Sequence, residues 1–210
     1  MSDASQTRSA VIELKDERRA MHEGHVFLDE KCLLLAGEIL RELQRFDQLQ
    51  RDFGQQHAAA LAALQAAVAR HGLQGLQVQP PADLGDWRLR ITARSLMGVA
   101  LQQAEPEVAE VAGRVGQCAA PWAQLAVQPS PEAAACRLAF AAVLDQAVVL
   151  AAVSGNLERL SLDYQRAVRR ARALQDVMLP ELDRSIADIE GRLEELEQED
   201  AIWMRQQARA

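Results

Sequence analysis

Two histidines and a glutamate, His22-Glu23-Gly24-His25, are the residues here whose types could hold a metal and activate water. A zinc-protease helix sets its histidines four apart, so that both imidazoles share one face beside the glutamate base. Here they are three apart and no third ligand is obvious, so they read as helix-surface histidines. The middle of the chain gathers acids, Asp83, Asp86, Glu105 and Glu107, with no histidine or serine arrangement beside them. No G-x-x-x-x-G-K-[ST] loop, G-x-G-x-x-G turn or G-x-S-x-G elbow occurs, which leaves phosphate cradling and acyl transfer without a carrier. Cys32, Cys118 and Cys136 form no C-x-x-C pair. An odd set of that kind suits a reducing compartment and small buried hydrophobes, neither a disulfide framework nor a zinc site. Arg169, Arg170 and Arg172 remain, and on successive helix positions they fan over different faces. No catalytic residue, cofactor or metal is expected.

Chemistry being absent, the elements carry the reading. Nearly half of the 210 residues are hydrophobic, yet 4% are aromatic. Alanine and leucine supply much of the apolar share, and both favour helix and close helix packing. The net charge of −7 argues against nucleic-acid binding, which needs clustered Lys and Arg. The first eight residues are polar and show no apolar signal segment. The most apolar window, Ala133 to Val153, contains Arg137, Asp145 and Gln146. A membrane span would bury these at a cost of a few kcal/mol each, so the window reads as a buried helix.

Three parts follow, 1–72, 73–130 and 131–210. In the first, apolar residues keep a heptad: Val11, Arg18, His25, Cys32, Ile39, Phe46 and Phe53 in one row, Leu14, Met21, Leu28, Leu35, Glu42 and Leu49 in the other. This alternating three–four spacing draws a single stripe down a long helix, with Thr7 or Ser5 available as its cap. In the third part Leu157, Leu160, Tyr164, Ala167, Ala171, Leu174 and Met178 keep one frame. Beyond Pro180 the frame of Leu182, Ile186, Ile189, Leu193, Leu196 and Trp203 is displaced by one residue, and a bend is expected there. The middle part opens with Gly72, Gly75, Pro80, Pro81 and Gly85. It then alternates Trp87, Leu89, Ile91 and Ala93 with Arg88, Arg90, Thr92 and Arg94, the period of a half-buried strand. Val99 and Leu101 can return as its partner around a turn at Met97-Gly98, followed by at most a short helix around Pro106 to Val115. A lone hairpin is marginal in water, so the apolar row should pack on the long helices or on a partner. The fold class is therefore all-α dominated: a long antiparallel two-helix coiled coil with a small insert holding a β-hairpin and a short helix. Its termini would share one tip, with Leu28 and Leu35 meeting residues between Leu174 and Ile189.

The ends and middle of this chain resemble the D subunit of V-type and archaeal-type rotary ATPases. Thr7-Arg8, Leu14-Lys15, Gly24-His25, Leu28 and Lys31 are similar to that family's opening T-R, L-K and G-H-x-L-L-x-x-K. Arg169-Arg170-Ala171-Arg172-Ala173-Leu174-Gln175 resembles its R-R-V-N-A-L-E, with Arg172 for the asparagine and Gln175 for the glutamate. Met178-Leu179-Pro180 and the run from Glu181 to Glu197 are similar to its proline and L-E-E-x-E segment, and Leu96-Met97-Gly98-Val99 to its M-G-V.

The resemblance implies a rotor axle that transmits torque without catalysing anything. Its paired termini would enter the hexamer of catalytic and regulatory subunits (A and B). Its insert end would dock on the C subunit (also written d) above the membrane ring, and the F subunit would clasp it. It would be cytoplasmic, peripheral to the membrane and not inserted in it, serving proton or sodium transport or ATP synthesis. Arg169, Arg170, Arg172 and Gln175 become candidates for hexamer contact, against the alternative of solvated arginines paired with glutamates on the first helix. Leu14, Met21, Leu28, Leu35, Ile39, Leu174, Leu182, Ile189, Leu193 and Leu196 become the coiled-coil seam, and Trp87, Leu89, Ile91 and Gly98 the hairpin. The rival readings are a generic cytoplasmic coiled-coil adaptor, which predicts a parallel homodimer, and a small helical enzyme using the insert.

Overall fold

A computed structural model describes residues 7–79, 87–108 and 130–208. Helix α1 spans Arg8–Gln77, strands β1 and β2 span Trp87–Leu96 and Val99–Val108, and helix α2 spans Pro131–Ala173. A π-helical turn, Leu174–Met178, then leads into α3, Leu179–Gln207. The backbone contacts divide into two units, residues 1–36 with 162–210, and residues 37–161.

In the first unit the helices run antiparallel, and the ion pairs give the direction. Arg8 pairs with Glu197 and Arg18 with Asp183; Lys15 lies 2.6 Å from Glu190 and Lys31 2.6 Å from Asp163. As the number climbs on α1, it falls on its partner. Val11, Leu14, Met21, His25, Leu28, Cys32 and Leu35 are buried or half-buried, which is the stripe that the heptad draws. Arg18, at a seam position, stays exposed and satisfies its charge on Asp183. The alignment corrects one expectation. Gly24 lies beside Leu174 and Lys31 pairs with Asp163, so Leu28 lies opposite the stretch before Leu174, not the one after it. The start of α1 follows from Thr7, whose side-chain oxygen accepts the Ala10 N–H at 3.4 Å in the manner of an N-cap.

The frame displacement near Pro180 has a different cause from the bend expected. The π-turn ends with the Leu179 N–H donating to the Leu174 carbonyl, five residues back, so one extra residue is absorbed within a turn. Pro180 lies two residues beyond this turn, inside a helix that continues from it.

In the second unit α1 runs regularly to His71 and breaks at Gly72, whose φ of 68° is cheap only for glycine. Across from this break, Ser130 caps α2: its Oγ accepts the Ala133 N–H at 3.2 Å, and Pro131 and Glu132 fill the first helical positions. Arg70 Nη1 lies 2.6 Å from Glu132 Oε1, and His71 Nε2 lies 2.6 Å from Ser130 Oγ. The Glu132 carboxyl sits below its usual range, chiefly through its own backbone N–H, with Arg70, Ser130 and His71 adding to this. The expectation that the apolar window is a buried helix holds for one stripe alone. Ala133, Cys136, Val143 and Val153 are buried, while Leu138 is exposed. By length and composition the helix is apolar enough to cross a membrane. One neighbouring helix can cover only one face.

The hairpin is a two-stranded antiparallel ribbon, Leu96 opposite Val99 at the turn and Trp87 opposite Val108 at the open end. It runs seven residues past Leu101. Met97 and Gly98 both have positive φ, 49° and 85°, the requirement of a type I′ turn. The short helix expected around Pro106 to Val115 gives way to strand as far as Val108, and its remainder lies outside the described residues.

Candidate functional site

The second unit fastens the hairpin with buried polar groups. Glu38 and Glu42, one turn apart on α1, are both buried, and Arg94 of β1 reaches between them. Its Nη2 bonds Glu38 Oε1 and stands 3.4 Å from Glu42 Oε1, while Arg41 bonds the other Glu38 oxygen at 2.7 Å. Buried carboxylates are costly without such partners. On the opposite side, Asn156 of α2 is buried and engages one residue of β2 twice. Its Oδ1 accepts the Gln102 N–H at 2.8 Å, and its Nδ2 donates to the Gln102 carbonyl at 2.8 Å. Both groups of Gln102 therefore point away from β1, and the carboxamide satisfies an edge that would otherwise need another strand. Arg159 Nη2 donates to the same Oδ1 at 2.7 Å and holds the amide in this orientation.

Residues directly opposite in the register share a face. Leu96, Val99, Arg94 and Leu101 share the inner one, where Val99 and Leu101 are buried. The expected apolar row is largely open: Leu89 is 42% exposed and Ile91 55%, although Ala104, opposite Ile91 on the same face, is buried. The Trp87 side chain lies outside the described residues, as do Asp83 and Asp86. Arg94, paired with Glu38 and Glu42, lies on the same face as the buried Val99 and Leu101.

Arg169, Arg170, Arg172 and Gln175 are all exposed. Arg169 Nε donates to the Gln165 carbonyl at 3.2 Å. Among the described residues none of the three arginines forms an ion pair. Of the seam candidates, Leu35 is wholly buried; Leu14, Met21, Leu28, Ile39, Leu174, Leu182, Ile189 and Leu193 are half-buried. Leu196 is 50% exposed.

Among the described residues the two histidines of the early motif stand apart. His22 is exposed, and His25 Nδ1 lies 3.5 Å from Asp29 Oδ2. Among the described residues no three His, Cys, Asp or Glu side chains gather as a metal site would require. Burial, with Asp29 adding to it, pushes the Cys32 thiol up, away from the thiolate that a nucleophile needs.

Residues 10–206 match the family model that describes the D subunit of ATP synthase. The chain belongs to that family. Among its relatives, the A-type ATP synthase D subunit of Thermococcus gammatolerans is 28% identical over 203 residues, covering 95% of this chain and 90% of the relative. The same subunit of Pyrococcus horikoshii is 27% identical over 200 residues, with the same coverage. The V-type ATP synthase D subunit of Anaeromyxobacter dehalogenans is 26% identical over 206 residues, 98% of this chain and 95% of that one. As a D subunit of this type the chain is part of an ATP synthase complex. The fastening residues Asn156 and Glu38 were not singled out in the sequence. Asn156 lies three and four residues from Val153 and Leu160, and Glu38 three from Leu35, all of them buried. A polar residue in a seam was the signal available.

Proposed function

We propose that this protein is the rotor axle of a V-type or A-type ATPase, carrying torque between the ATP-hydrolysing hexamer and the membrane ion-translocating ring. The observation that carries the reading is the antiparallel pairing of one chain's own end helices, from Arg8 with Glu197 to Lys31 with Asp163. Two helices locked side by side resist bending and twisting better than one. An adaptor of the parallel homodimer kind would spend the same stripe on a second copy.

The partners in this reading are the A and B subunits around the α1–α3 pair, and the F and C (or d) subunits on the rest, with the complex peripheral to the cytoplasmic membrane face. The exposed arginine fan, with Gln175 beside it, faces the hexamer. The uncovered side of α2, including Leu138, and the open hairpin row at Leu89 and Ile91 are contacts for other subunits. The axle itself is non-catalytic.

The test is a reversible lock. A cysteine placed at Gln175, in the assembled complex, is oxidised onto a cysteine in a facing loop of the hexamer. ATP hydrolysis should stop on oxidation and return on reduction. Hydrolysis that continues through a complete crosslink, or a chain that purifies from native membranes without ATPase subunits, refutes the axle.

A further inference from the structure

We infer that Asn156 is a positioning residue for coupling: its carboxamide fixes the hairpin to α2 as a rigid arm, so that force on the hairpin reaches the helices. This rests on the axle reading and adds to it a residue that no heptad or hairpin pattern requires.

Three observations converge. First, the two bonds to Gln102 are both 2.8 Å and both go to main chain. A side chain that grips backbone holds the strand's register whatever side chains the strand carries. Second, Asn156 is buried and its amide has no rotational freedom left, because Arg159 occupies the same Oδ1 at 2.7 Å. A buried amide bonded through both its oxygen and its nitrogen is specific in geometry, since a slip of β2 by one residue breaks both bonds to the strand. Third, the grip is paired with another on the second strand, Arg94 between Glu38 and Glu42. One strand is thus tied to α1 and the other to α2. A two-stranded ribbon held at one strand can twist about it; held at both, it moves with the helices. For a hairpin serving only to fill space, the burial of Val99 and Leu101 would suffice.

The experiment compares Asn156→Leu, which keeps the volume and removes both bonds, with Asn156→Asp, which keeps the acceptor and loses the donor. A variant lacking Trp87 to Val108, bridged by Gly/Ser, serves as reference. In the isolated protein, amide hydrogen exchange should rise at least tenfold at Gln102 and its neighbours in Asn156→Leu, and less in Asn156→Asp. Amides around Leu160 and Ala167 should keep the wild-type rate, which shows that the helices still fold. In the reassembled complex, ATP hydrolysis should continue while the ions moved per ATP fall toward the value of the hairpin-less reference. Unchanged exchange at Gln102 overturns the fastening itself. Faster exchange with wild-type coupling, in a complex where hairpin removal does lower coupling, overturns the positioning role. Failure of even the wild-type chain to enter the complex is a failure of the axle reading and removes the role with it, while the exchange result still stands or falls alone.

Discussion

Leu35→Ala is the sharpest test of the seam, because a residue two places away supplies its control. Leu35 is fully buried, whereas Leu33 is 75% exposed. Truncation at Leu35 removes about three carbons from a sealed site, roughly 2.4 kcal/mol at about 0.8 kcal/mol per buried methylene. A cavity adds to this to the extent that the surroundings fail to close, and two facing helices can close partway. The expected loss is therefore about 2–4 kcal/mol, or roughly 4–16 °C in melting temperature for a chain of this size. Leu33→Ala should stay within about 0.5 kcal/mol, as exposed substitutions do. Urea unfolding of the isolated monomer, followed by far-UV circular dichroism, measures both. Equal costs at the two positions, or a loss below about 1 kcal/mol at Leu35, would refute the burial pattern and with it the intramolecular coil.

Charge reversal tests the helix alignment: Lys15→Glu should lower stability by a few tenths to about 1 kcal/mol, and adding Glu190→Lys should restore it, as a double-mutant cycle would read out. Glu132 has a folded pKa below the ordinary carboxylate value, so its contribution is complete above that ordinary value and is lost as pH falls through the folded one. Urea midpoints should therefore fall more steeply below about pH 4.5 in the wild type than in Glu132→Gln. Deleting Val177 converts the π-turn to an α-turn and brings the seams before and after it into one frame, so the variant should keep wild-type helicity and stability, whereas deleting Ala171 should lower the melting temperature. Cys32, with its thiol pushed up and partly covered, should react with iodoacetamide at pH 8 more slowly in the native protein than in urea.

Much of this was legible because helices announce themselves periodically. All of the α1 heptad from Val11 to Phe53 except Arg18 is buried or half-buried, since a long helix has few ways to hide a single stripe. The hairpin turn was legible too, for Gly98 beside Met97 meets a local backbone need. Alternation, by contrast, identified β1 but left open whether its apolar row packs on the helices or on a partner, and Leu89 and Ile91 are exposed in this chain. The ion pairs of Arg94 with Glu38 and Glu42 span 52 to 56 residues of sequence, and no local period reports so distant a pairing. Asn156 was hidden for the same reason: its partner is backbone, which every residue has. The one-residue displacement at Pro180 was visible in the spacing, yet proline drew the explanation to itself, while the turn that absorbs the extra residue lies just ahead of it.

That turn bears on how the α2–α3 helix stores elastic energy. The wider ring of a π-turn is rare because it is less favourable than the α-turns beside it, and no side chain within Leu174–Met178 is buried to reinforce it. Under a twisting load the softest spring in a series deforms most. Strain should collect at these five residues and leave the helix on either side close to its resting geometry, so that a stepwise motion at one end would be delivered to the other smoothed and slightly delayed.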